Sequence, residues 1–241
     1  MGIEVTRQQV RRIGLVGGMS WRSTALYYER LNRAVDACLG VHHSFRGDIC
    51  NLDYAALLSM AETADWQGIE AMLADAARQL KQSGCDVIAL TAVTAHRWYQ
   101  PVCLAASCDV PHVLTAAAER LDDLAVRSVG VLGTSITCRS DFVVSYLGRR
   151  ARALIFLDSN EQLELDHLIQ SILTANDDIE AGRETLRRSV SSLRSRGAEI
   201  VVLACTELPL LLPVDADVAL LDCVALHVGD ICNHILSECH A

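Results

Sequence analysis

Two stretches of this chain are written twice, in the same order and at nearly the same spacing. Ile13-Gly14-Leu15-Val16-Gly17 returns as Val129-Gly130-Val131-Leu132-Gly133, an offset of 116 residues from Gly14 to Gly130. Gly84-Cys85-Asp86-Val87-Ile88-Ala89-Leu90 returns as Gly197-Ala198-Glu199-Ile200-Val201-Val202-Leu203, an offset of 113 residues from Gly84 to Gly197. Each copy is a short apolar run beside a glycine turn, as expected of a strand buried on both faces of a parallel sheet. A repeat of this length constrains the fold to two like α/β lobes rather than one continuous sheet. The rest of the chain agrees, because short β-branched runs alternate with longer amphipathic stretches, the pattern of parallel strands joined by crossover helices.

The pattern predicts strands over 12–16, 49–53, 87–90, 112–114, 128–132, 153–157, 200–203 and 219–222. Helices are predicted over 23–37, 65–83, 116–124, 141–149, 162–174, 180–196 and 224–238. Pro101, Pro111 and Pro213 fall at boundaries of this scheme, where a missing N–H is tolerated. The expected architecture is two pseudo-symmetric lobes, each a mainly parallel sheet flanked by helices. The first comprises residues 1–115 with 223–241 and the second residues 116–222. Parallel sheets present their functional loops at the carboxyl ends of the strands, so the site belongs in the cleft between the lobes.

Composition narrows the chemistry. A chain that is 51% hydrophobic and 21% charged has the balance of a globular protein and not of a disordered one. Its formal net charge of -9 offers phosphate backbones no broad basic surface, which argues against nucleic acid as a partner. The ten cysteines are scattered through apolar stretches with no CxxC pair, so neither a zinc site nor a disulfide framework is expected. Met1 to Arg12 contains no apolar signal core, and no window approaches the ~18 apolar residues of a membrane span. The expectation is therefore a cytoplasmic protein with reduced thiols and no membrane partner. Met1 to Thr6 fits the loose myristoylation pattern, which is too short to carry weight.

Three segments carry the chemistry. Gly14 to Ser20 is a glycine turn between strand and helix that lacks the GxGxxG fingerprint; Gly18, Met19 and Ser20 are candidates to hold an anion with backbone amides. Gly133-Thr134-Ser135-Ile136-Thr137 is the matching turn of the second copy, where Thr134 and Thr137 offer hydroxyls either to a carboxylate or to a helix cap. Cys205-Thr206-Glu207 follows the most apolar strand, and a thiolate at a strand end entering a helical turn is favoured by the backbone dipole. The equivalent position of the first copy, 113 residues earlier, is Ala92 within Thr91-Ala92-Val93-Thr94-Ala95-His96. One strand end offers a thiol and the other a methyl group.

Taken in order, Gly17-Gly18-Met19-Ser20-Trp21, His43-Ser44, Asn51-Leu52-Asp53-Tyr54, Leu132-Gly133-Thr134 with Thr137, Asp141-Phe142, Cys205-Thr206-Glu207 and Asp222 with His227 resemble the aspartate/glutamate racemase family. The similarity is strongest to its broad-specificity bacterial amino acid racemases and runs from about Arg12 to Ile235. The resemblance implies a substrate clamped between the lobes, no cofactor or metal, and a homodimer. It also implies one proton carrier on each face of Cα, the usual pair being two cysteines.

Here the second carrier matches as Cys205, while Ala92 and Val93 replace the first carrier and a neighbouring asparagine. Arg22, Ser135, Cys138, Arg139 and Cys223 also stand where the family pattern has other residues. Thr91 and His96 are the expected stand-ins for the lost carrier. Gly18, Met19, Ser20, Asp53, Thr94, Thr134, Thr137, Thr206, Glu207 and His227 are the expected binding residues for a small carboxylate or amino acid. The reading left open beside racemisation is one-thiol chemistry, such as decarboxylation, elimination or cyclisation, or a binding protein that has lost catalysis.

Overall fold

The computed structural model of the protein describes residues 10–149, 152–173, 179–214 and 218–236. The Met1 to Thr6 pattern, the ends of the helices expected to reach 174 and 238, and the outermost residues of the first lobe lie outside the described residues.

Each half of the chain builds its own parallel sheet. In the first, β1 (Ile13–Gly17) lies between β2 (Gly47–Asn51) and β3 (Val87–Leu90). In the second, β4 (Ser128–Leu132) lies between β5 (Ala153–Ile155) and β6 (Ile200–Leu203), and β7 (Ala219–Asp222) extends the edge beyond β6. Ile13 pairs with Val87 in one sheet and Val129 with Ile200 in the other. These partners are separated by the same two offsets as the sequence echo, so the repeat in the sequence is a repeat of strand register.

Packing repeats as well. A Cβ placed on Gly14 would meet Leu80 Cβ at 2.9 Å, and one on Gly130 would meet Leu193 Cδ1 at 2.9 Å. Leu80 belongs to α3 (Trp66–Gln82) and Leu193 to α9 (Ile179–Ser195), so in each lobe a central-strand glycine lets the preceding crossover helix sit close against the sheet. The other face of the first sheet is covered by α1 (Trp21–Leu39) and by α10 (Cys223–Leu236), whose Val224, Val228 and Ile231 join Ile13, Leu15, Tyr27 and Leu31 in one buried cluster. The C-terminal helix thus returns to the first lobe and ties the two ends of the chain together.

Several expectations need correction. No strand forms over 112–114: the fourth strand of the first sheet is reduced to a single parallel bridge between Val87 and Asp109. Pro111 has no N–H to continue the ladder, and the chain turns instead, with Thr115 N donating to His112 O at 2.9 Å. Three short helices escaped the pattern: α2 (Tyr54–Glu62), α4 (Tyr99–Ala106) and α6 (Ser135–Cys138). They are too short for apolar periodicity to register. The remaining helices are α5 (Thr115–Asp123), α7 (Asp141–Leu147) and α8 (Ser159–His167); the last continues into a wide turn over Leu168–Leu173. Among the described residues no helix is long and apolar enough to cross a membrane.

Candidate active site

The carboxyl ends of β1, β3, β4 and β6 converge on a cavity of about 130 Å³ between the two sheets. Its polar wall comes from the second lobe. Cys205 is only 6% exposed, lines the cavity, and donates its thiol proton to Glu207 Oε2 at 3.2 Å. Thr206 donates to the same oxygen at 3.0 Å, and Ser20, reaching across from the first lobe, donates to Glu207 Oε1 at 2.9 Å. A buried carboxylate with three donors is held in one orientation and fixes the thiol beside it.

The thiolate expectation is overturned by this geometry. Burial raises the Cys205 thiol well above its usual range, and the charge of Glu207 raises it further. The amides of Glu207 and Leu208 pull the other way but do not prevail. At rest Cys205 is a neutral proton donor, and its conjugate base, once formed, is a strong one.

A second polar cluster crosses the cleft. Thr94 Oγ1 lies 2.7 Å from Thr137 Oγ1 and 3.4 Å from Thr134 Oγ1, and Thr134 donates to Thr137 at 3.0 Å. Thr134 also accepts from Thr137 N at 3.3 Å as the N-cap of α6, which is the helix-cap reading of this turn. Thr94 and Thr134 line the cavity; Thr137 sits behind them.

The first lobe supplies an apolar wall. Ala92 and Val93 line it at the end of β3, joined by Leu57 from α2, Ile69 and Leu73 from α3, and Trp98. Neither expected stand-in for the missing carrier lines this cavity. Thr91 is fully buried, its hydroxyl donating to Val16 O at 3.2 Å and lying 3.1 Å from Thr24 Oγ1. His96 accepts from Val113 N at Nε2 (3.2 Å), which leaves Nδ1 to donate to Ala92 O (3.1 Å). Burial lowers its pKa to about 4, so the ring is neutral and both nitrogens are occupied.

Other expected binding residues are structural. His227 is buried between Tyr27 OH, 2.8 Å from Nδ1, and Pro111 O, 3.1 Å from Nε2, and burial lowers its pKa to about 3. It does not line the cavity. Asp53 caps α2 by accepting from Ala55 N at 3.2 Å. Gly18 does not offer its amide to a ligand, because its N–H donates to Thr24 Oγ1 at 2.9 Å. Its φ of +89° and the approach of Leu52 O, 2.1 Å from where a Cβ would stand, explain the glycine. Met19 lines the cavity and Ser20 reaches it through Glu207.

One proton-bearing residue was missed. Tyr54, at the start of α2, is the first-lobe cavity residue with an ionisable proton; burial, then Glu207 and Cys205, push its pKa up to about 12. A wider groove of about 620 Å³ lies outside the cavity and shares Trp66 and Ile136 with it, which makes this pair the partition between outer groove and inner chamber.

A model of the family described as Asp/Glu/Hydantoin racemase matches residues 16–231 of this chain. A broad-specificity amino-acid racemase of Bacillus subtilis (strain 168) is 25% identical over 221 residues, covering 87% of this chain and 92% of that protein. A Yersinia pestis protein assigned as an Asp/Glu racemase superposes with a TM-score of 0.82 at 28% identity, covering 94% of this chain and 99% of the other. An aspartate racemase homologue from Pyrococcus horikoshii OT3 gives a TM-score of 0.75 at 26% identity, covering 93% and 99%.

Proposed function

The chain belongs to the Asp/Glu/Hydantoin racemase family, and from that premise we propose that it moves a proton at the Cα of a small amino acid, without a cofactor, using Cys205 on one face. The observation that carries this reading is the Cys205–Glu207 pair, a buried thiol lining the interlobe cavity and held by a carboxylate 3.2 Å away. The Cα proton is far less acidic than a thiol, so catalysis needs a strong base and donors that tighten on the carboxylate as enolate character grows. A desolvated thiolate meets the first need; the hydroxyl of Thr94, the cavity-lining first-lobe member of the threonine cluster, meets the second. Pyridoxal chemistry needs a lysine Schiff base. Lys81, the chain's single lysine, lies in the last turn of α3, away from the cavity.

Tyr54 is the proton carrier this reading assigns to the first lobe in place of Thr91 and His96. The same surroundings raise the phenol to about 12 and the thiol well above its usual range, so the conjugate base of each is a strong one. Incubating each enantiomer of a panel of amino acids in heavy water and separating products by chiral chromatography tests this. Deuterium at Cα with inversion is the expected result, lost in Cys205→Ala. No deuterium with any substrate in the panel overturns it.

A second reading is favoured by the wall at Ala92 and Val93. A small apolar surface opposite a single protonated thiol suits a reaction in which bond cleavage generates the carbanion and only one protonation follows. Carbon dioxide release from disubstituted malonates, with Tyr54→Phe leaving the rate unchanged, favours that reading over racemisation.

A further inference from the structure

The chamber that holds Cys205 carries a selectivity of its own. Lysine, arginine and histidine are absent from the described residues that line it, and its formal charge comes from Glu207. A substrate side chain that ends in a carboxylate would therefore be buried beside like charge and without a cation, which disfavours its binding. An uncharged side chain meets Leu57, Ile69, Leu73 and Trp98 instead. The volume of about 130 Å³ is close to the ~150 Å³ of apolar cavities known to take up benzene. It fits one ring or a short branched chain.

Glu207 decides the other end of the molecule. An ionised carboxylate has about four acceptor positions, and Ser20, Thr206 and Cys205 fill three of them. The fourth faces no donor among the hydrogen bonds of the described side chains. That position is on Oε1, which accepts from Ser20, while the thiol donates to Oε2; an ammonium there shares one carboxylate with Cys205.

Resting on the proton-transfer reading of the same site, we infer that the chamber selects α-amino acids with uncharged apolar side chains, of the valine, leucine and phenylalanine class, and rejects aspartate and glutamate. The ammonium takes the remaining position on Glu207 and the carboxylate accepts from the Thr94 hydroxyl at the cavity wall. The side chain fills the apolar wall of the first lobe.

Trp66 and Trp98 in the wall supply a binding signal that does not depend on turnover. Titration of the full chain, followed by tryptophan fluorescence, should show leucine or phenylalanine binding at least tenfold tighter than aspartate or glutamate. 3-Phenylpropionate, which lacks the ammonium, should bind at least tenfold more weakly than phenylalanine, and Glu207→Gln should close that gap. Ala61→Arg, at a half-buried wall position on α2, should weaken leucine and strengthen glutamate. Equal affinity for acidic and apolar amino acids overturns the inference, and so does silence across the panel. Apolar binding without deuterium at Cα leaves the selectivity standing and removes the proton-transfer reading; exchange confined to aspartate or glutamate does the reverse.

Discussion

At the carboxyl end of β6 the chain places Cys205, Thr206 and Glu207; at the equivalent end of β3, in the same register, it places Ala92, Val93 and Thr94. The three core strands of the two lobes repeat in order and register, down to the strand glycines that admit α3 and α9. The chemistry at these strand ends has been divided: the second lobe holds thiol and carboxylate, and the first holds the apolar side chains of Ala92 and Val93. Backbone symmetry therefore constrains where a site lies but not what each side of it contributes. Packing needs only an apolar strand and a glycine, and the residue just beyond the strand is free to diverge.

Removing the polar side should have the largest effect. Cys205→Ala should cut deuterium incorporation at Cα by about a thousandfold, within the range for loss of a general acid or base, with far-UV circular dichroism unchanged. Restoring the symmetry comes next. Ala92→Cys gives the first strand end a thiol and should raise the rate of inversion by about a hundredfold, read by chiral chromatography. An unchanged rate would mean that position 92 does not face Cα.

The lobes should also part company in acid. His96, His112 and His227 are buried, with pKa values lowered by desolvation to about 4, 2 and 3, whereas His167 in the second lobe is exposed. Below the unfolded value of ~6.5 the unfolded chain takes up protons that the folded chain refuses. Stability from these residues is therefore full above ~6.5 and falls as the pH drops toward 4. A loss of about 2 kcal/mol for each of the three histidines between pH 7 and pH 5 is expected, measurable by urea unfolding, with hydrogen exchange rising first around β3 and α10.

The pH profile of exchange tests the Glu207 charge. Because the thiol's pKa is raised, exchange should keep climbing with pH beyond neutrality; Glu207→Gln removes the negative neighbour and should move that limb down by about one pH unit. The smallest expected effect is Thr134→Ala, which removes the cap of α6 and should cost about 1 kcal/mol by thermal unfolding.

Much of the architecture was legible because it depends on periodicity. Gly14 and Gly130 with the runs around them fixed two parallel sheets, and the offset between Cys205 and Ala92 located the asymmetry before any coordinates. The short helices were not legible, since nine residues from Tyr54 to Glu62 leave too little pattern. With them went Tyr54 and the apolar wall.

The sequence by itself determined the ends of β3, β4, β6 and β7, whose apolar runs are unbroken, whereas β2 and β5 stop at Asn51 and Ile155, two residues before the expected ends. Where a side chain points was decided by the tertiary structure alone. Thr91, His96 and His227 carry the chemistry a proton carrier needs, yet their polar atoms are taken up by Val16, Thr24, Val113, Ala92, Tyr27 and Pro111. A buried donor or acceptor must find a partner, and the nearest partner depends on how distant segments pack. The same packing buries the Cys205 thiol beside Glu207 and makes it a proton donor, although its place at a strand end had promised a thiolate.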